Sequence, residues 1–155
     1  MPHAAVNGIE LYYERAGSGP PLLFCNGSGA TLQTSALLIA PFREHFDVVA
    51  HDQRGLGQSE VPAGPYTMAD YAADAAALLD HVGWDRCRVF GVSFGGMVGQ
   101  EFAVTWPERV ERLALFCTSP GGAGGASYPL HELRDRPDAE RAETGVRRLG
   151  TPFTR

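Results

Sequence analysis

Short apolar runs of strand-forming residues alternate with longer segments of helical periodicity, and this alternation is the strongest constraint on the fold. Residues 22–25, 46–50, 88–92 and 110–116 read as strands, rich in Val, Leu and Phe. Between them, 31–42 carries a helical pattern with Leu37, Leu38 and Phe42 as its expected buried positions. A second helix is predicted to open at Thr67, with Asp70 completing a capping box, and to stop at Gly83. A third runs from 94 to 106, closed by Pro107. Ahead of all this, Asn7-Gly8 between strand-like residues of 4–13 signals a tight hairpin. A hairpin followed by strand–helix alternation predicts an α/β fold, a mostly parallel, doubly wound sheet with helices on both faces. Right-handed crossovers then gather the turns NGSG (26–29), HDQRGLGQS (51–59) and GVSFGG (91–96) at one sheet edge.

Composition narrows the partners. A formal charge of -5 argues against nucleic acid and anionic membrane, and no apolar run reaches the ~18 residues of a membrane span. The first residues, MPHAAVNGIELYYE, lack the basic start and apolar stretch of a signal peptide, and an odd set of three cysteines fits a reducing cytoplasm, the expected location. Cys25, Cys87 and Cys117 have no metal-ligand spacing and are expected as small buried hydrophobes. No metal or cofactor is expected. Residues 1–118 read as one core. From 119 to 155 the composition changes to a flexible connector, SPGGAGGA, and a one-sided helix over 137–149 that reads as the beginning of a cap or lid.

Ser93 stands in the third turn, between an expected strand and an expected helix. A serine at so sharp a corner needs neighbours without bulk, and Gly91 and Gly95 supply that. Gly96 and Gly99 let the helix approach the sheet. The helix N-terminus would aim backbone N–H groups at a developing oxyanion. The pattern G-x-S-x-G in this setting describes a nucleophile elbow.

With these motifs the chain resembles the N-terminal part of the α/β-hydrolase fold family, from about Asn7 to Pro120. DQRGLGQS (52–59) is similar to that family's D-x-R-G-x-G-x-S segment, and NGSG stands where it has a His-Gly oxyanion turn. The asparagine-led turn, VPAGPYTMADYAADAAALLDHVG and WPERVERLALFCTSP resemble the serine esterase and enol-lactone hydrolase branch. The resemblance implies that Ser93 attacks an acyl carbon while the N–H groups of Ser28 and Phe94 hold the oxyanion. Each such donor is worth about 10²–10³ in rate. Asn26, where the family has histidine, implies different contacts for its turn, with Gly27 beside it. It also implies that Asp52 ties down the glycine loop and that Arg54 organises it. Serine at 93 disfavours epoxide hydrolase and haloalkane dehalogenase chemistry, for which the resembling families use a carboxylate.

A serine hydroxyl needs a base, and in this family the acid and histidine follow the serine, beyond the cap. Among the five histidines, His3, His45 and His81 lie away from the active edge. His51 is nearest, one residue before Asp52, and alternation along the strand points it to the other face. His131 follows the serine but sits in the cap-like tail. The expectation is therefore a sheet incomplete on its C-terminal side. Segment 110–116 would be an apolar edge strand open to self- or partner-association. The expected function is hydrolysis of a small carboxylic ester or lactone through an acyl-serine, as part of a longer chain. Alternatives are a truncated or split hydrolase completed by another chain, and cofactor-free perhydrolysis or halogenation on the same fold.

Overall fold

The computed structural model describes residues 2–121 and Pro137. Among the described residues, the chain up to Pro120 forms one compact unit. The helix expected over 137–149, most of the connector and His131 lie outside the described residues.

The hairpin forms as Asn7-Gly8 requires. β1 (His3–Val6) pairs antiparallel with β2 (Ile9–Ala16). Asn7 at φ 48° and Gly8 at φ 77° adopt the left-handed conformations of such a turn. β3 (Pro21–Cys25), α1 (Leu32–Ile39), β4 (Asp47–His51), α2 (Met68–His81), β5 (Cys87–Val92), α3 (Phe94–Thr105) and β6 (Val110–Phe116) follow in alternation. The six strands make one sheet in the order β1-β2-β4-β3-β5-β6. β2 meets β4 antiparallel, and β4, β3, β5 and β6 run parallel. β3 is the central strand: Phe24 pairs with Ala50 on one side and Phe90 on the other, and Cys25 with Gly91. The three chemical turns therefore leave neighbouring strands at the same end.

Successive residues of β3 and β4 point to opposite faces. Leu23, Cys25 and Val49 join α2 and α3 through Ala72, Leu78, Leu79 and Phe102. Leu22, Phe24, Val48 and Ala50 join α1 through Leu32 and Ile39. The rings of Phe24, Phe42 and Phe90 pack together on that second face, with centroids 4.7–5.5 Å apart. No described helix is long and apolar enough to cross a membrane.

Helix α2 has the expected capping box, with Thr67 and Asp70 satisfying one another's backbone N–H groups, and Gly83 at φ 75° follows its end. Helix α1 differs from expectation. It ends at Ile39 and tightens into a 3-10 turn over Ala40–Glu44, where Pro41 has no N–H to continue the helix. Its buried stripe is Leu32, Ser35 and Ile39, spaced three and four residues apart. Leu37 and Leu38 fall off that stripe and are 91% and 49% exposed. Cys117 also differs: Cys25 and Cys87 are buried, but Cys117, just past β6 at φ 50°, is exposed.

β6 is the sheet edge opposite β1. Leu113 and Leu115 lie over Gly99 of α3, yet both remain partly exposed, as does Phe116. On the other face an open groove of about 580 Å³ runs between β6 and the rings of Phe42, Phe46 and Phe90.

Candidate active site

Ser93 links β5 directly to α3, at φ 53° and ψ -117°. A non-glycine residue in that region is strained by about 1–3 kcal/mol and persists only where its surroundings over-determine it. Those surroundings are explicit. The Ser93 N–H donates to the Phe116 carbonyl at 2.9 Å. Its carbonyl accepts from the N–H groups of Gly96 (2.9 Å) and Met97 (3.3 Å) and from Thr118 Oγ1 (2.6 Å). The corner is thus pinned between the end of β6 and the first turn of α3, and its side chain faces solvent.

The glycines allow this approach. A β-carbon on Gly91 would stand 2.5 Å from the Gly95 carbonyl oxygen and 2.6 Å from Gly96 Cα. One on Gly95 would collide with the carbonyls of Cys25 and Asn26, and one on Gly96 would stand 2.6 Å from Thr118 Oγ1. Helix α3 therefore lies directly on the end of β3.

That contact brings the turn after β3 to the serine. A β-carbon on Gly27 would reach 3.7 Å from Ser93 Cβ. Gln53 Nε2 donates to the Asn26 carbonyl at 2.9 Å, tying this turn to the loop after β4. Ser28 is exposed. Among the described residues, neither the Ser28 N–H nor the Phe94 N–H meets an acceptor. The Asn26 side chain is buried, and neither its Oδ1 nor its Nδ2 has a partner among the described residues.

Asp52 is buried with both carboxylate oxygens engaged. Oδ1 accepts from the Leu32 N–H at 2.6 Å and Oδ2 from the Gln58 N–H at 2.9 Å. It couples the start of α1 to the glycine loop, and a β-carbon on Gly57 would run into it. Arg54 pairs with Asp74 of α2. Its Nε and Nη2 reach the two oxygens of that carboxylate at 2.7 and 2.6 Å. Asn7 Nδ2 adds a third bond to Asp74 at 2.8 Å. The Asp74 hydrogen bond, ahead of the opposing effect of burial, holds Arg54 more firmly in its charged form.

Asp74 and Asn7 were missed in the sequence. An acid inside AADAAALL, on the buried face of a helix, was a readable sign that a cation must lie opposite.

The described histidines do not reach the serine: among the described residues the Ser93 hydroxyl has no hydrogen-bond partner. His51 is buried at the end of β4, its Nδ1 without a partner among the described residues. Burial lowers its pKa, and Asp74 and then Asp52 partly oppose that. His81 in α2 contacts the Tyr13 hydroxyl, and His3 packs against Tyr12. Among the described residues no cluster of His, Cys, Asp or Glu could hold a metal ion.

Residues 20–140 match the family described as the α/β hydrolase fold. The soluble epoxide hydrolase of a Corynebacterium species is 36% identical, over 82% of this chain and 45% of that protein. The 3-oxoadipate enol-lactonase 2 of Acinetobacter baylyi is 33% identical, over 93% of this chain and 55% of its own length. Among solved structures, the enol-lactonase of Burkholderia xenovorans superposes with a TM-score of 0.72 at 38% identity. That match covers 76% of this chain and 47% of the other. The chain spans about half the length of the curated relatives it matches.

Proposed function

Because the chain belongs to the α/β-hydrolase fold family, we propose that it is the nucleophile-bearing half of a serine hydrolase acting on a small carboxylic ester or lactone. The observation that carries this reading is Ser93 itself, exposed at a strained strand-to-helix corner whose following N–H has no acceptor among the described residues. Ser93 Oγ attacks the acyl carbon as a base takes its proton. The carbonyl electrons move to oxygen, where the Phe94 and Ser28 N–H groups receive the oxyanion. Collapse expels the alcohol, or opens the lactone ring, with the proton returned to the leaving oxygen. Water then attacks the acyl-serine by the same route and frees the acid. The enol-lactonase relatives favour lactone or ester chemistry. An epoxide hydrolase is also similar, but a hydroxyl at position 93 favours acyl transfer over a carboxylate-driven ring opening.

In this reading Asp52 and Arg54 shape the loop, and Gly91, Gly95 and Gly96 the elbow. The base and acid come from the part of the fold that the relatives have and this chain does not span. The test is labelling with a fluorescent alkyl fluorophosphonate, followed by peptide mapping. Modification at Ser93 that disappears in Ser93→Ala supports the reading, and equal labelling of Ser93→Ala sinks it.

A second reading, completion by another chain, is favoured by the exposed apolar side chains of β6. Light scattering across a concentration series tests it. A chain that stays monomeric at high concentration removes edge pairing as a route, while association weakened by Ala114→Lys supports it.

A further inference from the structure

A line of rings connects the Arg54–Asp74 ion pair to the residue after the serine. The Arg54 guanidinium carbon lies 5.7 Å from the Tyr66 ring centre. Tyr66 is held in turn: its hydroxyl donates to the Pro62 carbonyl, and its ring rests on Gly55, where a β-carbon would come within 2.8 Å. Tyr66 meets Tyr71 edge-on, with centroids 6.1 Å apart and planes at 87°. Tyr71 meets Phe94 edge-on at 5.0 Å and 85°. Edge-to-face pairs of this kind are directional, because the positive ring edge seeks the negative face. Tyr71 precedes Asp74 by three residues, so both lie on one face of α2. Arg54 grips that face through Asp74, with Asp70 at 4.0 Å. The ring of Tyr71 is thus anchored from behind and set against the first residue of α3.

We infer that Tyr71 is a positioning residue for the oxyanion site: its ring fixes Phe94, and with it the N–H that follows Ser93. The inference rests on the reading of Ser93 as an acylated nucleophile. Phe94 begins a helix, where its N–H has no preceding turn to hold it. Its direction is then set by the elbow on one side and by its own ring on the other. The elbow is pinned by Phe116, Thr118 and the glycines, and the ring is pinned by Tyr71. The edge contact, and not the phenol hydroxyl, does this, so Tyr71→Phe should behave as the parent protein.

The experiment reads two quantities on the 155-residue chain and on Tyr71→Ala, Tyr71→Leu and Tyr71→Phe. One is the Phe94 amide signal in protein carrying ¹⁵N-phenylalanine; the other is the rate of fluorophosphonate labelling at Ser93. The expected result is a shifted and broadened Phe94 amide in Tyr71→Ala, with labelling slowed about tenfold. Tyr71→Phe should match the parent in both. If Tyr71→Ala fails to fold, Tyr71→Leu keeps the bulk without the ring edge and carries the same comparison. An unmoved Phe94 amide overturns the inference, as does an unchanged labelling rate in a protein that labels. Where the parent chain does not label for want of the base, the Phe94 amide alone decides: a shift in Tyr71→Ala that Tyr71→Phe does not share supports the ring contact, and an unmoved amide overturns it.

Discussion

The backbone carbonyl of Cys25 occupies the place that a β-carbon on Gly95 would take. The carbonyl is backbone in the middle of the fold and a β-carbon is fixed to its own Cα, so neither can swing aside. Gly95→Ala should therefore lose at least about 3 kcal/mol, the upper part of the range for overpacking. Gly83→Ala is the control: its φ of 75° is strained for alanine, but nothing lies within 4 Å, and about 1–2 kcal/mol is expected. Urea unfolding of the two variants checks the contrast. Similar losses in both would mean that α3 does not lie on β3 as described.

Arg54 and Asp74 form a buried pair, their side chains 9% and 1% exposed. Arg54→Met strands the buried Asp74 carboxylate and should cost about 3–5 kcal/mol, whereas Asp74→Leu should cost less because Arg54 keeps Asp70 at 4.0 Å. The double variant should lose far less than the sum, because no charge is left uncompensated. The surface pair Arg15–Asp47, where Arg15 is 44% exposed, should give a coupling of no more than about 1 kcal/mol. Two double-mutant cycles measured by denaturation test this ordering.

His51 has its pKa lowered from 6.5, chiefly by burial. The folded state therefore keeps it neutral at a pH where the unfolded chain already binds a proton. Its contribution to stability is full above about 6.5 and is lost as pH falls through the lowered folded value. His51→Gln removes that dependence. The parent's advantage over the variant, read from urea midpoints, should be larger at pH 7.5 than at pH 5.5. An advantage that grows on acidification would mean that the imidazole is charged in the fold.

Burial pushes the thiols of Cys25 and Cys87 up to about 12, so neither forms thiolate near neutrality. Cys117 is exposed. Ellman's reagent at pH 8 should titrate one thiol rapidly in the native chain and all three in urea. Cys117→Ser should abolish the fast phase.

Much of the scaffold was legible because it depends on neighbours in the chain. Asn7-Gly8 makes its hairpin from its own conformational freedom, and Thr67 caps α2 through a residue three positions away. The alternation of apolar runs likewise foretold the sheet and its helices. The face of α1 was not legible in this way. Its eight residues hold apolar side chains on more than one side, and its buried stripe includes Ser35. Cys117 was misread because a single left-handed residue just past β6 turns it out of the strand pattern. At the candidate site, the serine and its glycines stood out as a local motif. Asp74, Tyr71 and Thr118 did not, since each acts on a residue 20 or more positions away.

The sequence by itself determined the order of elements, the sharp turn at Ser93 and the small residues around it, because turns, caps and periodicity are short-range properties. The tertiary structure alone decided which groups meet: Arg54 on Asp74, Tyr71 on Phe94, Gly95 under Cys25. Such meetings depend on how the sheet brings distant segments together, and on burial, which makes an unpaired charge or an extra methyl group costly.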